Sequence, residues 1–153
     1  MKRCCKEEHS TGGTDVRKYI SFILVFLFGI AAPAFAANYV KPEVFKQWIQ
    51  SHRPMIIVDI QPSEDFIEGH IRGSIMTDAY PVKTGEDKKR LDAAVKKIKA
   101  SKDDVVIVCP KGKAAASSAY DYLKSQGIPE SRLLILEGGI GGWPYKDMLV
   151  TGK

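Results

Sequence analysis

Cysteine and histidine are scarce, with three of each in 153 residues. Cys4, Cys5 and His9 stand within residues 1–36, which read as a targeting segment. The remaining 117 residues hold only Cys109, His52 and His70, and no metal-ligand spacing exists among them, so no metal and no other cofactor is expected. A lone Cys109 cannot close an internal disulfide. Aromatic residues are also few, at 9%, and none interleaves with the lysines between Lys83 and Lys102. That absence removes the stacking platform of a single-strand nucleic-acid binder, and no nucleic-acid partner is expected. The chain shows no internal repeat, no long linker and no second domain. Gly138, Gly139, Gly141 and Gly142 lack the GxGxxG context of a dinucleotide site and instead suggest a tight crossing ahead of Trp143, itself expected to anchor the core.

What is present is globular in proportion: 44% hydrophobic and 27% charged, which excludes a disordered tail, a collagen-like fibre and a multi-span membrane protein. The net charge of +5 shrinks on closer reading, since residues 37–153 carry 18 Lys+Arg against 15 Asp+Glu. A chain of that size buries roughly two-thirds of its surface and holds one core without staples.

Arg17 and Lys18 precede an apolar run from Phe22 to Ile30, and Pro33 leads into Ala34-Phe35-Ala36, the small-x-small pattern of a signal-peptidase site. We expect residues 1–36 to be a signal peptide cleaved after Ala36, with residues 37–153 exported as one domain, periplasmic or extracellular. The alternative is a retained anchor with the domain outside the membrane, because uncharged sequence runs from Tyr19 to Val40 and the positive flank is N-terminal. Cleavage would leave no stable membrane contact. The leader also contains Glu7, Glu8 and Asp15, and translation from Val16 would shorten it to a compact VRKYISF start.

Three apolar runs follow, MIIVDI at 55–60, DVVIVC at 104–109 and RLLILE at 132–137. They do not alternate with polar residues, the pattern of strands buried on both faces of a parallel sheet. Helical patterns separate them. Pro42 opens one with Val44, Phe45, Trp48 and Ile49 on a face; Leu91, Val95 and Ile98 stripe residues 86–100; a third runs from about Ala115 to Gln126, stopped by Gly127 and Pro129. The fold class expected is α/β, a central mainly parallel sheet with helices on both faces. Lys88, Lys89, Lys96, Lys97 and Lys99 then form the wet side of an amphipathic helix.

The chemistry lies in DVVIVC followed by PKGKAAASSAYDYLKSQG, where a buried strand ends at Cys109, a turn containing Gly112 follows and a helix begins. Ligands of open parallel sheets sit at the carboxyl ends of the strands. Backbone N–H groups of Lys111 to Ala115 can converge on the sulfur if the loop curls, Gly112 supplying the backbone freedom. The helix start adds roughly 0.3 to 2 kcal/mol for an anion. Lys111 and Lys113 flank the sulfur and add full charges, so the segment favours an anionic nucleophile.

These residues carry a resemblance. VDIQPSEDFIEGHIRGSI at 58–75, CPKGKAA at 109–115 and LEGGIGGWP at 136–144 resemble, in order and spacing, the motifs of a rhodanese-type sulfurtransferase domain, over residues 40–153. The resemblance implies the three-layer rhodanese-like fold and a Cys109 that takes a sulfane sulfur from a thiosulfate-like donor, becomes a persulfide and passes the sulfur to a thiophilic acceptor (cyanide, a thiol or a partner protein). The loop from Cys109 to Ala114 has six residues, as in sulfur-transferring members, whereas related phosphatases and arsenate reductases use seven ending in Arg. Lys111 before Gly112 and the small Ala114 at the loop end resemble the thiosulfate-using variant, but Pro110 stands where that variant carries Arg, and Lys113 is the nearest compensating charge. Substrate binding is thus expected at Lys111, Gly112, Lys113 and Ala114. The alternative is a non-catalytic rhodanese-fold module that binds a partner or carries sulfur. Asp59 is expected to be structural, bonded to loop N–H groups or to Arg72; His70 a structural polar contact; His52 an exposed helix-end residue.

Overall fold

The computed structural model describes residues 37–152; residues 1–36, where a targeting segment is expected, lie outside the described residues. Strand β1 (Tyr39–Val40) leads into helix α1 (Pro42–Gln50), β2 (Met55–Asp59), α2 (Ser63–Glu68), β3 (His70–Ile71) and β4 (Ile75–Met76). Then come α3 (Gly85–Lys89), α4 (Asp92–Lys99), β5 (Asp104–Val108), α5 (Ala114–Ser125), β6 (Leu133–Leu136) and β7 (Leu149–Val150). A five-stranded sheet has the order β1-β6-β5-β2-β4 with every pairing parallel, while β3 and β7 pair antiparallel beside it.

The three apolar runs become β2, β5 and β6, the middle of that sheet. Their lack of alternation has a direct cause, because each face packs against its own core. Val58, Val105, Ile107, Leu133 and Ile135 pack with Leu91, Val95, Ile98, Ala116, Ala119 and Leu123 from the α4 and α5 side. Ile57, Val106, Val108 and Leu136 pack with Phe45 of α1 and with Trp143 on the other. Trp143 is wholly buried, meets Phe45 edge-on at 5.7 Å and donates its indole N–H to the Tyr145 carbonyl at 2.8 Å. It is a core anchor, and truncating it to Ala costs about 3–5 kcal/mol by the usual scale for core aromatics. Among the described residues, no helix is long and apolar enough to cross a membrane.

Three local expectations shift. Val44 is exposed, and Phe45 is the fully buried residue of α1, with Trp48 and Ile49 half-buried beside it. Residues 86–100 form two helices, not one. Thr84 caps α3 through a reciprocal capping box with Asp87, and the chain re-aims at Arg90, whose guanidinium binds the Asp78 side chain at 2.5 Å and its carbonyl at 2.7 Å. Leu91 can then enter the core at the start of α4. Helix α5 begins at Ala114, so Ala114 is its first residue as well as the end of the cysteine loop.

Candidate active site

Cys109 directly follows β5 at the carboxyl end of the sheet and is 2% exposed. The loop that follows curls back on it: the Gly112 amide, at φ +62°, donates to Cys109 Sγ at 2.8 Å. The left-handed backbone at Gly112 redirects the chain that follows toward α5, a conformation that glycine adopts without strain. The expected convergence of several amides on the sulfur is realised by this one alone. The N–H groups of Lys111, Lys113, Ala114 and Ala115 donate to no acceptor among the described residues, and no side chain caps α5. Unpaired amides at a helix start are an anion site by construction, because they present positive partial charge that only an acceptor can satisfy.

The glycine segment holds the loop in place. The Ile140 amide donates to the Cys109 carbonyl at 2.9 Å and the Gly141 amide to the Pro110 carbonyl at 3.0 Å. The backbones approach so closely that a Cβ on Gly139 would lie 2.1 Å from the Cys109 carbonyl oxygen, and one on Gly112 would lie 2.6 Å from the Gly138 and Gly139 nitrogens. LEGGIGGWP is therefore the tight crossing its composition suggests, a main-chain brace behind the cysteine loop. Side chains are excluded there.

A cavity of about 130 Å³ opens onto this loop, lined by Tyr80, Cys109, Lys111, Lys113, Ala114 and Ala115. Lys111 and Lys113 are exposed at its rim, and the walls formed by Ala114 and Ala115 are small. The structure thus gathers Cys109, Lys111, Lys113 and Ala114 around one space, with Gly112 as the donor to the sulfur. Tyr80 and Ala115 were not among the expected binding residues. Tyr80 comes from the connection after β4, which the β2–β4 pairing and the Tyr80 amide's hydrogen bond to the Ile60 carbonyl bring to the carboxyl end of the sheet.

Asp59 ends β2 directly opposite Val108 in register. Ile57 belongs to the core on the α1 side and Val58 to the core on the α5 side, so strand alternation points Asp59 to the α1 side, away from the Cys109 cavity. Its carboxylate accepts from the Gln61 backbone N–H at 2.9 Å and side-chain amide at 3.1 Å, not from Arg72, which is exposed. Burial raises its pKa to about 6, against the lowering pull of those two hydrogen bonds. His70 sits with Nδ1 2.8 Å from the Phe66 carbonyl oxygen and its ring stacked on Phe66, a structural arrangement. His52 is exposed just beyond α1.

Comparison with known proteins agrees with this architecture. The model of the rhodanese-like domain family matches residues 41–145. No curated protein matches at a significant level. Among solved structures, a Saccharomyces cerevisiae protein described as a homolog of single-domain rhodanese and the Cdc25 phosphatase catalytic domain superimposes with a TM-score of 0.56 at 20% identity, covering 69% of this chain and 78% of that one. A Staphylococcus aureus rhodanese-like domain protein gives 0.55 at 19% identity, with 76% and 99% covered. The As-Sb reductase of Leishmania major gives 0.57 at 17% identity, with 77% and 88% covered. At such identities these likenesses establish the fold, while the family match spans most of the chain. The protein belongs to the rhodanese-like domain family, a family of sulfurtransferases and their relatives.

Proposed function

We propose that this protein is a sulfurtransferase that moves a sulfane sulfur from a small anionic donor of the thiosulfate kind to a thiophilic acceptor through a persulfide on Cys109. The observation that carries the reading is a single thiol at the floor of a small cavity, hydrogen-bonded by the Gly112 amide at 2.8 Å and rimmed by Lys111 and Lys113.

The Cys109 thiolate attacks the outer sulfur of the donor. A new S–S bond forms at Cys109, the donor's own S–S bond breaks, and its electron pair leaves with sulfite. The two ammonium groups offset the charge of the dianionic donor, and the unpaired amides of Lys113, Ala114 and Ala115 offer hydrogen bonds to its oxygens or to the resulting persulfide anion. The acceptor then attacks the outer sulfur and releases Cys109. Neither half requires a proton shuttle once the sulfur is ionised, and neither His52 nor Asp59 lines the cavity.

The test is direct: incubate the protein with thiosulfate and weigh it. A gain of one sulfur atom, absent in Cys109→Ser and reversed by cyanide with release of thiocyanate, supports the reading. No gain from any sulfane donor favours the non-catalytic module instead, a reading that draws on Pro110, which lacks an N–H and stands where the thiosulfate-using variant carries Arg. We also propose export with cleavage after Ala36. N-terminal sequencing of the processed protein tests it, and a terminus other than Ala37 would overturn it.

A further inference from the structure

Among the described residues, Tyr80 is the one lining the Cys109 cavity that comes from outside residues 109–115. It is 41% exposed, although neighbouring Ala79 and Val82 are buried. Its backbone is tied down. The Tyr80 amide donates to the Ile60 carbonyl at 2.9 Å, and one residue further along β2's exit the Gln61 amide binds Asp59. Asp78 accepts from the Ser63 amide at 3.0 Å and from Arg90, and Thr77 donates its hydroxyl to the Asp59 carbonyl at 2.9 Å.

The segment also adopts costly backbone. Asp78 has φ +52° and Val82 has φ +60°. A β-branched residue rarely enters that region, and such strain persists only where surrounding contacts over-determine it. Two residues in left-handed backbone therefore bracket a partly exposed aromatic. The cavity it borders, about 130 Å³, is well below the roughly 300 Å³ at which drug-sized ligands begin to fit.

We propose that Tyr80 is a specificity-determining residue: its ring narrows the approach to Cys109 so that only donors with a small leaving group, such as sulfite from thiosulfate, reach the sulfur, while bulky thiosulfonates and large persulfides are turned away. This rests on the sulfur-transfer reading for its meaning in catalysis, but the access it controls is measurable without turnover.

The first measurement is therefore alkylation of Cys109 in the full chain, located by peptide mass mapping, with iodoacetamide as the small reagent and N-(1-pyrenyl)maleimide as the large one. Tyr80→Ala should raise the large reagent's rate relative to the small one's by about tenfold, the scale on which a modest change in a pocket discriminates ligands. Tyr80→Phe, which keeps the ring, should leave the ratio at the parent value. An unchanged ratio in Tyr80→Ala, or a Tyr80→Phe ratio equal to that of Tyr80→Ala, overturns the proposal. Matching thermal unfolding midpoints for the three proteins exclude a loosened fold as the cause. The second measurement compares kcat/KM for thiosulfate and benzenethiosulfonate, which share the scissile bond and differ in leaving-group bulk, with cyanide as acceptor. Tyr80→Ala should shift the ratio toward benzenethiosulfonate by a similar factor. If no donor loads any of the proteins while the alkylation ratio shifts, the sulfur-transfer reading fails and the access role stands.

Discussion

Two neighbouring parallel strands, β2 and β5, each end in a buried reactive group, and the structure treats the two groups in opposite ways. Asp59 and Val108 are register partners, so Asp59 and Cys109 leave the sheet one residue apart. Asp59 turns to the α1 side, where it is fully buried and Gln61 satisfies it twice. Cys109 stays on the α5 side, takes one amide and faces a space lined by Lys111, Lys113, Ala114 and Ala115, whose amides have no acceptor among the described residues. The difference separates a group that is satisfied from a group that is supplied. A closed polar pair spends its hydrogen-bonding capacity on the fold, whereas the cysteine loop keeps capacity for something the chain does not contain.

The comparison breaks most completely at the sulfur. Cys109→Ser should abolish the mass gain from thiosulfate and leave the unfolding midpoint nearly unchanged, since it exchanges one small buried group for another; Asp59→Asn should retain the mass gain. Next in size is the brace. Gly139→Ala places a methyl group 2.1 Å from the Cys109 carbonyl oxygen at φ +62°, so it should cost about 3 kcal/mol or more in urea unfolding and displace the cysteine loop. Retained stability and activity in that variant would show that the crossing is not a brace.

Asp59 sharpens the contrast through pH. Its folded pKa of about 6 lies above the unfolded 3.8, so the folded state binds the proton more tightly. Its contribution to stability is therefore complete below about pH 4 and is lost as the pH rises through 6, amounting to about 3 kcal/mol across the window. The stability difference between the parent and Asp59→Asn, measured by urea unfolding from pH 4 to 7, should carry that slope. A difference independent of pH would refute it. Smallest is the rim: Lys111→Ala should raise KM for thiosulfate by about two- to fivefold with the fold intact, the scale of one exposed charge. Unchanged kinetics would remove Lys111 from the mechanism.

Much of this was legible in the chain. DVVIVC declares a strand buried on both faces, and the turn and helix after it declare where a ligand sits, so the chain alone groups Cys109, Lys111, Gly112, Lys113 and Ala114. The short strands β1, β3, β4 and β7 were not legible, because two residues cannot show a period and their pairing is set by partners distant in the chain. Tyr80 was hidden for the same reason. Its only local mark is an aromatic before Pro81, which reads as an ordinary turn, and it is the β2–β4 register and the bond to the Ile60 carbonyl that put it beside the cysteine. The break at Arg90 is masked in the sequence by an apolar stripe that persists through it, while the capping pair Thr84 and Asp87 carries the signal of a separate short helix.

The crossing behind the cysteine has one more consequence. By occupying the Cys109 and Pro110 carbonyls with the Ile140 and Gly141 amides, it sorts the loop's polarity, satisfying those oxygens while the Lys113, Ala114 and Ala115 amides keep no acceptor among the described residues. Charge preference is thereby written into the main chain, where side-chain substitution cannot easily erase it. Even a variant stripped of both flanking lysines should still prefer guests of negative sign, only more weakly.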